Sequence, residues 1–281
     1  MPAVVANARE LFVWLWTHRH EMRKQLGVCR GQSASSTGSR RVGASHEDHE
    51  GLLRPMNSTK MLAFTAQAEV HRILASRMFC TGSNDDDTAE HLRYAIRHVT
   101  LQGLWLEFGV STGTSLGVIA EQTQERVYGF DSFEGLPEDW VRGEGRPTLK
   151  RGAFRGGPKA VSPHVTLVPG LFVDTVPRFV EEKSEVVAFM HVDCDIYTST
   201  RTVLRSFCHK LVPGTVIVFD ELFNYPNFVD HEMRALLETA AEQGLEYEYL
   251  GYVNRRFPAS SAASLQITGI RPRLHKDGVA N

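Results

Sequence analysis

From residue 101 onward, short and nearly unbroken apolar runs alternate with stretches of helical periodicity. No other feature of the chain restricts its fold as much. The runs occupy 104–110, 126–131, 165–168, 186–193, 214–220, 245–252 and 263–270, with helical stretches near 114–122, 172–182, 198–210 and 229–243. A strand that faces water on one side alternates apolar and polar residues. These runs do not, so both faces of the sheet must be covered, which is the condition of a parallel sheet between helices. The link between the last two runs is short, so the final strand is expected to return antiparallel. The fold class is therefore α/β, mostly parallel, with about seven strands.

Upstream of this region the texture differs. Residues 31–50 are small, polar and charged and read as a flexible linker. Residues 1–30 hold at most one short amphipathic helix. From 59 to about 98 the apolar positions fall at helical spacing, interrupted by Asn84-Asp-Asp-Asp87, acids that suit a helix N-terminus better than a metal. The expected organisation is a flexible N-terminal extension over 1–58, a helical cap over 59–100, the α/β domain over 101–272 and a tail over 273–281. The cap helices offer a homodimer contact or a cover for a substrate.

Charge and cysteine usage exclude several classes. Lys plus Arg total 31 against 33 Asp plus Glu, a net charge of −2, so nothing marks a nucleic-acid partner. The 4 cysteines (Cys29, Cys80, Cys194, Cys208) form no CxxC pair and fit free thiols in a reducing compartment. No apolar run approaches the roughly 20 residues that span a bilayer, so no membrane partner is expected. The chain reads as cytoplasmic, with an organelle transit peptide as the alternative, because the first 45 residues are rich in Arg and Ser and poor in acids.

In such sheets ligands bind outside the carboxyl ends of the strands, and polar residues stand at those ends here. Gly109 and Gly113 end the first run and open a helix, allowing a tight turn and close backbone approach. The spacing is neither G-x-G-x-x-G nor a P-loop. Glu107 beside the turn would repel a pyrophosphate but suits an ammonium or sulfonium. Asp131 ends the second run, where a carboxylate can accept both hydroxyls of a ribose; the alternative role is a helix N-cap. A nucleoside with a cationic end is S-adenosyl-L-methionine.

Further on, Asp193 and Asp195 end one run, and Asp220 and Glu221 end the next. Four carboxylates on neighbouring strand ends raise one another's pKa unless a hard divalent cation such as Mg²⁺ relieves them. The plainer alternative is that they cap helices and pair with Arg201 or Lys210. His191, inside its run, reads as a core histidine.

The ordered segments EFGVSTGTS, VYGFDSFEGLPEDW, LVPGLFVDTVP, HVDCDIYTST and VPGTVIVFDELFNYP resemble the macrocin O-methyltransferase family of class I S-adenosylmethionine-dependent methyltransferases, over roughly residues 100–255. The resemblance implies a Rossmann-like sheet and Mg²⁺-dependent methylation of a hydroxyl on a small molecule, a sugar or other natural product. It implies that Glu107, Gly109, Ser111, Gly113 and Ser115 surround the methionine part of the cofactor. Asp131 and Ser132 would meet the ribose, and Gly170 and Phe172 the adenine. Asp193, Asp220 and Glu221 would hold the metal, with Asp193 also beside the cofactor and Asp195 as general base. One departure is Asp220-Glu221, where the characterised sugar enzymes carry two aspartates. The basic loop from Arg142 to Lys159 reads as a solvated loop or as a lid over the site. Two rival readings are a glycosyltransferase using the D-x-D of Asp193-Cys194-Asp195, and a catalytically silent relative.

Overall fold

The computed structural model of the chain describes residues 58–80, 84–158 and 160–271. The expectations for the N-terminal extension, its linker and transit peptide, and the 273–281 tail lie outside them. In chain order the elements are α1 (Ser58–Leu74), β1 (Arg77–Cys80), α2 (Asn84–Ile96), β2 (Leu104–Phe108), α3 (Thr114–Glu121), β3 (Val127–Asp131), β4 (Val165–Pro169) and α4 (Phe172–Glu182). They continue with β5 (Val187–Val192), α5 (Tyr197–Phe207), β6 (Val216–Phe223), α6 (Glu232–Gln243), β7 (Leu245–Asn254) and β8 (Ser261–Ile270).

The described strands form one sheet in the order β1-β7-β8-β6-β5-β2-β3-β4. All pairings are parallel except those of β8, which runs antiparallel to both β6 and β7. Every residue of β2 and of β5 is buried, as strands sandwiched between helix layers must be. One difference from the sequence reading is β1. The helical spacing runs on through Met78, yet Arg77–Cys80 pairs with Gly251–Asn254 at the sheet edge. Four residues are too few for a strand period to show against a helical background.

Two cores flank the sheet. One face packs α4, α5 and α6 against Phe108, Phe130 and Val192, with the Phe108 and Phe130 rings stacked 4.8 Å apart. Helix α5 supplies Thr200, Val203, Leu204 and Phe207, an i, i+3, i+4, i+7 stripe. The other face packs Leu92, Ala95 and Ile96 of α2 and Leu116 and Ile119 of α3 over Trp105 and Phe189. The chain moves outward from β2 through β3 to β4, then returns to place β5 on the other side of β2. That reversal opens a crevice at the carboxyl ends of β2 and β5.

Candidate active site

A cavity of ≈ 570 Å³ fills the crevice, and five strand ends contribute to it. Gly109 and Ser111 follow β2, Asp131 ends β3 and Ser132 follows it, and Gly170 to Val173 follow β4. Asp193, Cys194 and Asp195 follow β5, and Asp220 and Glu221 lie on β6. The wall also takes Thr198, Ser199 and Thr202 from α5, and Phe154, which the sequence reading did not single out. Three non-glycine residues on this wall hold positive φ: Ser111 (45°), Phe154 (65°) and Asp195 (62°). Such strain persists where the surroundings fix it, and it gathers at functional sites.

The glycine turn is held by its own chain. Asp131 accepts the backbone N–H groups of Val110 and Ser111 at 2.8 Å each through Oδ2, and that of Phe133 at 2.7 Å through Oδ1. No helix follows Asp131, so the N-cap alternative falls away; the carboxylate instead ties the β3 end to the β2 turn. Ser132 closes its own turn by donating to the carbonyl of Gly135 at 3.0 Å.

Not every expected residue reaches this wall. Glu107 is fully buried behind it, with Oε1 2.9 Å from Nδ1 of His191, itself 1% exposed. The two side chains share a face because Glu107 and His191 are register partners in β2 and β5. Among the described residues, His191 Nε2 and Glu107 Oε2 have no hydrogen-bond partner, so the core-histidine reading accounts for only one ring nitrogen. Gly113 caps α3 at φ 83°. Ser115 lines a second cavity of ≈ 440 Å³ with Thr114, His191, Arg146 and Arg255, which meets the first at Asp193 and Asp220. Thr88, Ala89 and Leu92 of α2 also line it.

The acidic cluster assembles as the neighbouring strand ends require. Val192 pairs with Phe219, so Asp193 and Asp220 leave adjacent strands together. Carboxylate oxygens of Asp193, Asp195 and Glu221 lie within 4.8 Å of one another. Asp220 stands beside this trio, with Oδ1 3.9 Å from a guanidinium nitrogen of Arg255. The pairing alternative fails: Arg201 binds Glu238 and Glu242, and Lys210 binds the carbonyls of Lys183 and Glu185. Burial, then the charges of Asp220, Glu221 and Glu232, pushes the Asp193 carboxyl well above the usual range. Burial and the facing Glu221 do the same to Asp195, and burial raises Glu221. Arg255 offsets part of this negative charge, and among the described residues Glu221 Oε2 has no hydrogen-bond partner, so the all-oxygen donor set fits a hard divalent cation.

Sequence reasoning missed Glu232. It is fully buried at the start of α6 and accepts backbone N–H groups from both acidic turns. Helical spacing marks the position as core, and only the tertiary structure reveals its partners. The loop from Arg142 is no free strand of chain: Trp140 and Leu149 exchange backbone hydrogen bonds, and Lys150 pairs with Asp139 at 2.7 Å. Lys159 lies outside the described residues. No described helix is long and apolar enough to cross a membrane.

Comparison with known proteins bears on the fold. Residues 106–222 match a family model described as a methyltransferase domain. The crystal structure of CalS11, a calicheamicin methyltransferase, is similar over 83% of this chain and 99% of its own, at 24% identity and a TM-score of 0.52. That of the O-methyltransferase NovP is similar over 75% and 100%, at 17% identity and a TM-score of 0.48. No curated protein matches the sequence. The chain has the Rossmann-like fold of the class I methyltransferases, and the region matching their domain spans β2 to β6, the strands whose ends build the cavity.

Proposed function

We propose that the protein is an S-adenosyl-L-methionine-dependent O-methyltransferase that uses Mg²⁺ and acts on a hydroxyl of a small molecule, of the sugar or natural-product kind. One observation carries the reading: a single cavity joins the glycine turn, Asp131 and the Gly170–Phe172 segment to the carboxylates of Asp193, Asp195, Asp220 and Glu221. A nucleoside donor and a metal-assisted nucleophile need that juxtaposition. A glycosyltransferase using Asp193-Cys194-Asp195 would leave the glycine turn and Asp131 without a task, and the methyltransferase-domain match does not favour it.

S-adenosylmethionine supplies a methyl group on a sulfonium, and Mg²⁺ supplies Lewis acidity that lowers the pKa of a hydroxyl. The chain's residues supply position and proton transfer. Gly109, Ser111 and Gly113 would surround the methionine part, with Ser115 and Asp193 at its polar end. Asp131 and Ser132 would meet the ribose. Gly170, at φ 133°, and Phe172, edge-on to Phe108 at 5.7 Å, would bound the adenine. Asp193, Asp220 and Glu221 would hold the cation. Asp195, buried within reach of Asp193 and Glu221, would take the proton from the acceptor hydroxyl. Holding both reactants in one closed site contributes several kcal/mol, on the order of 7–11 for well-oriented pairs. The folded loop that carries Phe154 to the wall would exclude water.

The test is a thermal shift with adenosylhomocysteine. A rise in melting temperature that saturates with ligand is expected, and no rise at millimolar ligand contradicts the cofactor assignment.

A further inference from the structure

The two acid-bearing turns are not bonded to each other through their own backbones beyond the strand ends. β5 pairs with β6 only as far as Val192 and Phe219, and the β6–β8 register breaks between Phe219 and Phe223. Asp195 sits in left-handed backbone at φ 62°, a region less favoured for residues with a Cβ, although aspartate tolerates it better than most. Something must therefore set the spacing between Asp193-Cys194-Asp195 and Asp220-Glu221.

Glu232 touches both turns. Its Oε1 accepts the N–H of Cys194 at 3.3 Å, and its Oε2 accepts the N–H of Glu221 at 3.2 Å. Cys194 lies between the two aspartates, and the Glu221 N–H belongs to the peptide joining Asp220 to Glu221. One rigid planar group thus bridges the Asp193–Cys194 peptide to the Asp220–Glu221 peptide. Helix α6 anchors it, since the next residue, Met233, and Leu236 are buried in the core. A role in stability alone would favour an apolar residue here, because a fully buried carboxylate next to four other acids is costly.

We infer that Glu232 is a positioning residue that fixes the separation of the two acidic turns and so shapes the cation site without touching the cation. The consequence for cation binding rests on the function proposed above; the bridge itself does not. The full chain is compared with Glu232→Ala and Glu232→Gln by two readouts. Amide hydrogen exchange at Cys194 and Glu221 reports the bridge in metal-free protein, and titration with Mn²⁺ alone reports the site. In Glu232→Ala both amides are expected to exchange about tenfold faster or more, and Mn²⁺ affinity to fall by about tenfold or more, while adenosylhomocysteine affinity is retained. Glu232→Gln keeps the side-chain volume and one oxygen, so intermediate losses are expected, and it decides the matter if the alanine variant does not fold. Unchanged exchange at both amides in a folded variant overturns the inference, as does equal loss of Mn²⁺ and adenosylhomocysteine binding, which marks general collapse. A wild-type chain that takes up no Mn²⁺ defeats the cation reading instead, and the exchange rates alone then decide the role of Glu232.

Discussion

The backbone carbonyl oxygen of Asp193 lies 1.9 Å from the point that a Cβ on Gly109 would occupy. In the same contact the Asp193 N–H donates to the Phe108 carbonyl at 2.9 Å. The glycine that opens the turn after β2 is therefore also the residue that lets the first acid of the cluster close against β2. With φ 93° the position is closed to other residues on backbone grounds as well.

Gly109→Ala is accordingly expected to destabilise the fold by about 3 kcal/mol or more, because backbone meets backbone and neither can rotate away. Gly117→Ala is the control. It lies in α3, where an added methyl would meet nothing within 4 Å, and it should be neutral or stabilising by up to about 1 kcal/mol. Denaturant unfolding of both variants reads the difference, and equal effects would contradict the close approach.

Asp193→Asn should make the metal-free protein more stable, by about 1–3 kcal/mol, while removing cation binding. The cause is the burial and like-charge repulsion that push the Asp193 carboxyl upward. For an acid with a raised folded pKa, stability falls as pH rises through that pKa, so the gain should grow from acidic to neutral pH. Melting curves in chelator test this, and a less stable variant would show that the charge is compensated.

The strands β2 and β5 are legible in the sequence because burial on both faces leaves an unbroken apolar run. The acids and glycines at strand ends are legible because parallel sheets bind ligands there. β1 is not, since four edge residues carry no period of their own. Position in the strand puts Glu107 at the ligand, but its face is set by register with His191, a relation between residues 84 apart that no local spacing encodes. Glu232 is hidden for the same reason: helix periodicity marks it as core without saying that two backbone N–H groups await it.

His91 offers a pH test outside the acidic cluster. It is fully buried on α2 with Nε2 2.9 Å from the Ser264 hydroxyl, and burial lowers its pKa to about 3. A base with a depressed folded pKa stabilises the fold above its unfolded pKa of about 6.5, and that stability is lost as pH falls from about 6.5 toward about 3. The loss should approach about 1.4 kcal/mol per pH unit within that window. His91→Gln should flatten this limb in denaturant unfolding followed from about pH 7 to about pH 4; an unchanged slope would mean that His91 does not titrate with unfolding.

Asp195→Asn should reduce methyl transfer to hydroxyl acceptors by about 10²-fold or more while leaving adenosylhomocysteine affinity intact. The amide fills the same space but accepts no proton. Single-turnover assays against a panel of small hydroxyl compounds check this, and a wild-type rate would remove Asp195 from the role of base.

Isothermal titration of the purified chain with adenosylhomocysteine, repeated with Mn²⁺ present, tests the central claim most directly, since one cavity should take both. Saturable binding of each ligand is predicted, with the Mn²⁺ heat abolished in Asp193→Asn. Absence of heat for both ligands in the wild-type protein would contradict it.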